Sequence, residues 1–180
     1  MSRLTVYAEH DAIRPLLDTE DGETIRHTLA EAGVLFRRWA ATRALDERAD
    51  VDTILAAYRS EIDRLVQEAG YQSVDVVNLY PDHPDRVALR QKFLNEHTHG
   101  EDEVRFFVEG AGLFCLHLNQ RVYAVLCVKN DLISVPAGTL HWFDMGSRPR
   151  FTAIRLFNNP DGWIAQFTGD SIAERFPRLD

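Results

Sequence analysis

Apolar positions recur at helical spacing in the first half of the chain and in short runs in the second, and the change falls near residue 95. Asp21-Gly22-Glu23 opens a segment with Ile25, Leu29 and Ala32 on one face, closed by Gly33. From about Asp50 to Ala69, Val51, Ile54, Leu55, Tyr58, Ile62, Leu65 and Val66 fall on one face at 3.6 residues per turn. This predicts one helix, stopped at Gly70. A third helix is predicted from Asp82-His83-Pro84, where proline suits a first turn, to about Phe93. Short strands are predicted at Leu4 to Ala8, Val34 to Trp39 and Ser73 to Leu79. Beyond residue 95 the runs are Val104 to Glu109, Leu113 to Leu118, Val122 to Val128, Leu132 to Val135, Thr139 to Phe143 and Phe151 to Phe157. Gly110, Gly112, Asn119-Gln120-Arg121, Asn130-Asp131 and Pro136-Ala137-Gly138 punctuate them. Closely spaced strands with tight turns imply an antiparallel barrel or sandwich. The expected fold class is therefore α+β, mainly β, with helices flanking a barrel.

Composition narrows the function without choosing it. The 180 residues suffice for one buried core. The formal charge of −8, with no basic block, disfavours nucleic acid and anionic membranes as partners. No apolar run is long enough to span a bilayer, and Met1 to Glu9 alternates like a strand rather than forming a signal core. Cys115 and Cys127 are too few for a disulfide framework and read as reduced, buried fillers. A cytoplasmic enzyme or binding domain is the expectation. What remains is the use of seven histidines.

Three of them fall into a pattern. In Glu96-His97-Thr98-His99-Gly100-Glu101-Asp102-Glu103-Val104-Arg105-Phe106, His97 and His99 are two apart and point the same way on a strand. Glu103 shares their parity and joins them if the strand continues or if a turn at Gly100 folds it back. His141 follows the turn Pro136-Ala137-Gly138. Three imidazoles and a carboxylate suit a divalent transition metal with open positions for substrate. Taken singly, each residue also suits an exposed strand face or a solvated acidic loop. Arg105, two beyond Glu103, can share its face and offer a guanidinium to an anion, or simply pair with an acid. Glu96 and Asp102 have the opposite parity and are candidates to accept from ligand imidazole N–H groups, or are ordinary exposed acids. Phe93, Phe143 and Trp163 are candidates for an apolar pocket wall. His10, His27, His83 and His117 show no partners in sequence.

His97-x-His99-x₃-Glu103-x₆-Gly110 followed by Pro136-x-Gly138-x₂-His141 resembles the paired motifs of the cupin superfamily. The glycines usual before each motif are replaced by Gln91 and Asn130, and the asparagine after the last histidine by Met145. None of these is a ligand position. The stretch Asn95 to Phe106, with Val135 to Asp144 and Ile154-Arg155-Leu156-Phe157, resembles more narrowly the bacterial acireductone dioxygenases of methionine salvage. That resemblance implies a single cupin domain with a jelly-roll β-barrel: a mixed flank over 1–94, a barrel core with the metal site over 95–157 and a tail over 158–180. It implies His97, His99, Glu103 and His141 as ligands to one Fe²⁺ or Ni²⁺ per chain, and Arg105 as the group that holds the substrate dianion. Glu96 and Asp102 would assist metal incorporation. The implied substrates are the acireductone 1,2-dihydroxy-5-methylthiopent-1-en-3-one and O₂. Fe would give formate and 4-methylthio-2-oxobutanoate; Ni would give formate, CO and 3-methylthiopropanoate. The resemblance also implies a monomer. Another cupin dioxygenase or isomerase, or a non-catalytic ligand-binding cupin, would share the generic motif.

Overall fold

The computed structural model describes residues 1–159, 161 and 164–180. Its centre is one long strand, β6 (Glu103–Leu118), preceded by β1 (Arg3–Ala8), β2 (Asp11–Thr19), β3 (Leu35–Arg38), β4 (Ser73–Leu79) and β5 (His97–Thr98). After it come β7 (Arg121–Val128), β8 (Asp131–Val135), β9 (Leu140–Asp144), β10 (Phe151–Phe157) and β11 (Gln166–Phe167). Helices α1 (Gly22–Glu31), α2 (Val51–Ala57), α3 (Arg59–Ala69) and α4 (Arg86–Phe93) lie in the first half, and a 3-10 turn spans Ile172–Glu174. No helix among the described residues is long and apolar enough to cross a membrane.

β6 belongs to two antiparallel layers at once. Its first half pairs with β8 and β10, and through them with β3 and β4. Its second half pairs with β7 and β9, and onward with β1, β2, β5 and β11. The sequence places a break at Gly110 and Gly112; the chain instead bends without breaking. Gly110 sits at φ +67°, and a Cβ there would lie 1.8 Å from the Arg150 carbonyl oxygen, so only glycine fits the bend. The result is the expected cupin-like jelly roll, as a sandwich whose sheet path ends at β2 and β11 rather than closing.

Alternation along β6 sorts its side chains. Val104, Phe106 and Val108 face outward onto Ile54, Tyr58, Ile62 and Leu65 of the α2–α3 region. Phe107, Phe114 and Leu116 face the core between the layers, with Ile133, Val135, Phe143 and Ala153. Glu103 and Arg105 have the parity of Phe107 and therefore also point inward. The single helix expected over 50–69 is broken at Tyr58, whose φ of −113° lets the fully buried ring meet Phe106 edge-on at 5.7 Å. Asp50 caps α2 by accepting from Thr53 N, and Gly70 at φ 71° closes α3. Helix α4 begins at Arg86, later than the sequence predicts, because residues 82–85 form turns. β2 left no apolar alternation in the sequence: it is an edge strand with Pro15 in it and mostly solvated side chains.

Candidate metal centre

Three elements converge at one end of the sandwich. β5 carries His97, with His99 just beyond it, and β9 carries His141. His97 and His141 are paired in register, so their rings share a face, with centroids 4.3 Å apart. The chain turns at Gly100 and enters β6 at Glu103, the second of the two routes that parity left open. Two hydrogen bonds tie this turn to the Pro136-Ala137-Gly138 turn: Gly138 N donates to His99 O at 2.9 Å, and Ala137 N to Asp102 Oδ1 at 2.8 Å.

His97, His99 and His141 are buried and offer nitrogens that all lie within 4.8 Å of one another. Each Nδ1 lies against a main-chain carbonyl: His97 on Asn95 O (2.7 Å), His99 on Ile164 O (3.2 Å), His141 on Thr139 O (2.8 Å). A carbonyl only accepts, so each Nδ1 carries the proton and each Nε2 is left with a lone pair. His99 Nε2 and His141 Nε2 lie 3.3 and 3.8 Å from Glu103 Oε2. All three of these atoms are buried and have no hydrogen-bond partner among the described residues. A cluster of orphaned acceptors is costly unless a cation serves it, and the N₃O donor set fits a divalent transition metal.

The electrostatics agree. Burial lowers the His97 imidazole to about 4 and His141 to about 3, and lowers His99 as well. Burial alone would raise Glu103, but the charges of Arg105 and Arg155 and the adjacent imidazoles hold it down at about 2. The apo site is thus already in its metal-binding protonation state: neutral rings and an ionised carboxylate.

Arg105 donates from Nε to Glu103 Oε1 at 2.6 Å, and its guanidinium lies between Phe114 and Phe143, 4.7 and 4.8 Å from their ring centres. Beside it opens a cavity of about 330 Å³. His97, His99, Arg105 and Arg155 form its polar end, and Val77, Leu79, Leu89 and Phe93 part of its apolar wall. Phe93 thus stands where the sequence suggested. Phe143 does not line the cavity; it packs beneath Arg105. Trp163 lies outside the described residues.

Two expectations change. The imidazole N–H groups of His97, His99 and His141 go to main-chain carbonyls, not to Glu96 or Asp102. The buried Glu96 carboxylate instead takes His117 Nδ1 (2.8 Å) and Thr168 Oγ1 (2.9 Å), while Glu9 meets His117 Nε2 at 3.1 Å. Thr168 N also donates to Glu96 O, so this cluster fastens β11 over β5, where Phe167 covers the His97 ring at 5.6 Å. His117 is therefore a paired residue, and His83, also set aside, borders the cavity. The residue missed outright is Arg155. It sits opposite Arg105 in register on β10 and is held by Asp75 through Nε (2.8 Å) and Nη2 (2.6 Å). Its signal was present: the one charged residue in a strand that is apolar but for Thr152, Phe151 to Phe157.

A model of the ARD/ARD' family matches residues 3–165 of this chain. The chain belongs to the ARD/ARD' family. Acireductone dioxygenase from Yersinia enterocolitica is 61% identical over 180 residues, covering all of both chains. That from Cronobacter sakazakii is 62% identical over 179 residues, 99% of each. Among solved structures, the acireductone dioxygenase of Bacillus anthracis, with a cadmium ion in its active centre, superposes with a TM-score of 0.81 at 28% identity. The match covers 93% of this chain and 98% of that one. The fold and the enzyme class that the motifs implied are those of the ARD/ARD' family.

Proposed function

We propose that this chain cleaves the acireductone 1,2-dihydroxy-5-methylthiopent-1-en-3-one with O₂, using one Fe²⁺ or Ni²⁺ held by His97, His99, Glu103 and His141. The observation that carries this reading is the group of unpartnered donor atoms beside two guanidinium groups in one cavity. The bound metal would supply Lewis-acid charge and open positions for the enediolate oxygens.

The chain's own residues do the rest. Glu103 has one oxygen fixed by Arg105, which leaves Oε2 to face His99 and His141. Arg105 meets Glu103 through Nε, and among the described residues its terminal N–H groups take no hydrogen-bond partner, which leaves them for an anionic oxygen in the cavity. Arg155 is a second cation in the same wall, partly offset by Asp75. Arg105 and Arg155 are offset by Glu103 and Asp75, and Lys92 in the cavity wall adds one further positive charge. A divalent metal would make the site strongly cationic, which suits a substrate dianion. Val77, Leu79, Leu89 and Phe93 offer the methylthio tail a dry surface. The test is O₂ uptake with the acireductone by protein stripped of metal and then loaded anaerobically with Fe²⁺. Uptake only in the loaded protein supports the reading; equal rates with and without metal contradict it.

A further inference from the structure

Helix α4 is attached to the molecule differently from the others. The α2–α3 region buries Ile54, Tyr58, Ile62 and Leu65. Helix α4 buries no residue fully and has no side-chain cap at its start. Its apolar contacts with the core come from the half-buried Leu89 and Phe93, and these same two side chains, with Lys92, line the cavity. The helix therefore rests on the space a substrate would occupy.

One buried ion pair fixes it from the other side. Arg90 donates from Nε to Asp144 Oδ1 at 2.8 Å and from Nη2 to Asp144 Oδ2 at 3.1 Å. Asp144 is fully buried, three residues beyond His141 on β9, and its oxygens also accept from Gly146 N and Leu179 N, both at 2.9 Å. Arg90 Nη2 reaches Leu179 O and Asp180 Oδ1 as well. The strand that carries His141 thus holds, through one guanidinium, the wall facing the polar end of the cavity.

We propose that Arg90 and Asp144 are positioning residues that set the depth of the cavity and so select the length of the substrate's thioether tail. This rests on the function proposed above. With the latch closed, Leu89 and Phe93 stand at a fixed distance from the polar end, and a short tail fills the space. With the latch open, the helix moves to suit whatever lies against it, and longer tails gain most.

The test compares the metal-loaded wild type and Arg90→Met on two acireductones, one with a methylthio and one with a butylthio tail. In Arg90→Met, KM for the methylthio substrate rises about fivefold with kcat within about twofold, because uniform binding is lost rather than chemistry. The butylthio to methylthio ratio of kcat/KM rises at least about fivefold, within the range that pocket methylenes discriminate. Hydrogen exchange accelerates in residues 86–93 and not in 140–144, and metal content is unchanged. Should Arg90→Met not fold, Arg90→Lys decides, since it keeps the charge but loses the two-point contact; its ratio shifts in the same direction by a smaller factor. A working wild type with an unchanged ratio in the folded variant, or an equal fall in kcat on both tails, overturns this inference alone. A wild type without turnover on either substrate overturns the proposed function, and this inference with it.

Discussion

Arg105 and Glu103 lie side by side on the inner face of β6, joined by a 2.6 Å hydrogen bond from Nε to Oε1. The guanidinium fixes one oxygen of the carboxylate and borders the cavity. Arg105→Ala is therefore expected to keep its metal and lose turnover, by about 100-fold or more if the arginine acts on charge in the dianion. Metal analysis beside steady-state kinetics checks this, and normal turnover would refute it. Glu103→Gln should act on the other quantity and lower metal occupancy first.

The lowered imidazole values have a direct calorimetric consequence. At pH 6, three histidines at the ordinary value of about 6.5 would together release about two protons on metal binding. With His97 at about 4, His141 at about 3 and Glu103 at about 2, only His99, itself lowered, has any part of a proton left to release. Metal titrations in two buffers of different ionisation enthalpy should differ in apparent heat by less than the equivalent of one proton. A difference equivalent to two protons would contradict the assigned protonation state.

His117 predicts a pH dependence of stability. Burial alone would lower it, but Glu9 and Glu96 outweigh burial and raise it. A histidine raised in the folded state stabilises fully below its unfolded value, near 6.5, and that contribution is lost as pH rises through the folded value. Wild type should exceed His117→Gln by about 1–2 kcal/mol at pH 6, and the gap should close by pH 9. Denaturant unfolding at the two pH values measures it; parallel stabilities would rule out the pairing with Glu96 and Glu9.

Gly112 supplies a packing test. A Cβ there would lie 2.2 Å from Cζ of Phe143, which is buried and lies 4.8 Å under the Arg105 guanidinium. Gly112→Ala should destabilise by about 1–3 kcal/mol and, by displacing the ring, lower kcat with metal retained. A variant equal to wild type in both melting temperature and kcat would show that Phe143 does not hold Arg105.

The ligand candidates were legible because alternation along strands and a turn signal act over a few residues. His97, His99 and Glu103 needed only parity and the Gly100 turn to be gathered, whereas His141 was flagged by its Pro/Gly turn and the family motif and joins them through the β5–β9 register. The long-range partners were not legible in the same way. Glu96 and Asp102 looked like neighbours of the imidazoles, but main-chain carbonyls occupy every Nδ1, and no local rule announces where a carbonyl will point. Arg155 entered the site only through the β6–β10 register. Edge strand β2 was invisible because only Ala12 and Leu17 pack against the core, too few to leave an alternating pattern. Tyr58 hid the α2–α3 break because its apolar spacing is the same whether the helix runs straight or turns there.

The central claim is that one apo site, loaded with either metal, turns over the same acireductone. Its most direct measurement is product analysis after aerobic turnover by Fe²⁺- and Ni²⁺-reconstituted protein. The expected result is formate with 4-methylthio-2-oxobutanoate from the iron form, and formate, CO and 3-methylthiopropanoate from the nickel form, neither appearing with His97→Ala. Identical products from both metals would contradict metal-directed cleavage at this site, and decay no faster than in metal-free protein would contradict the function itself.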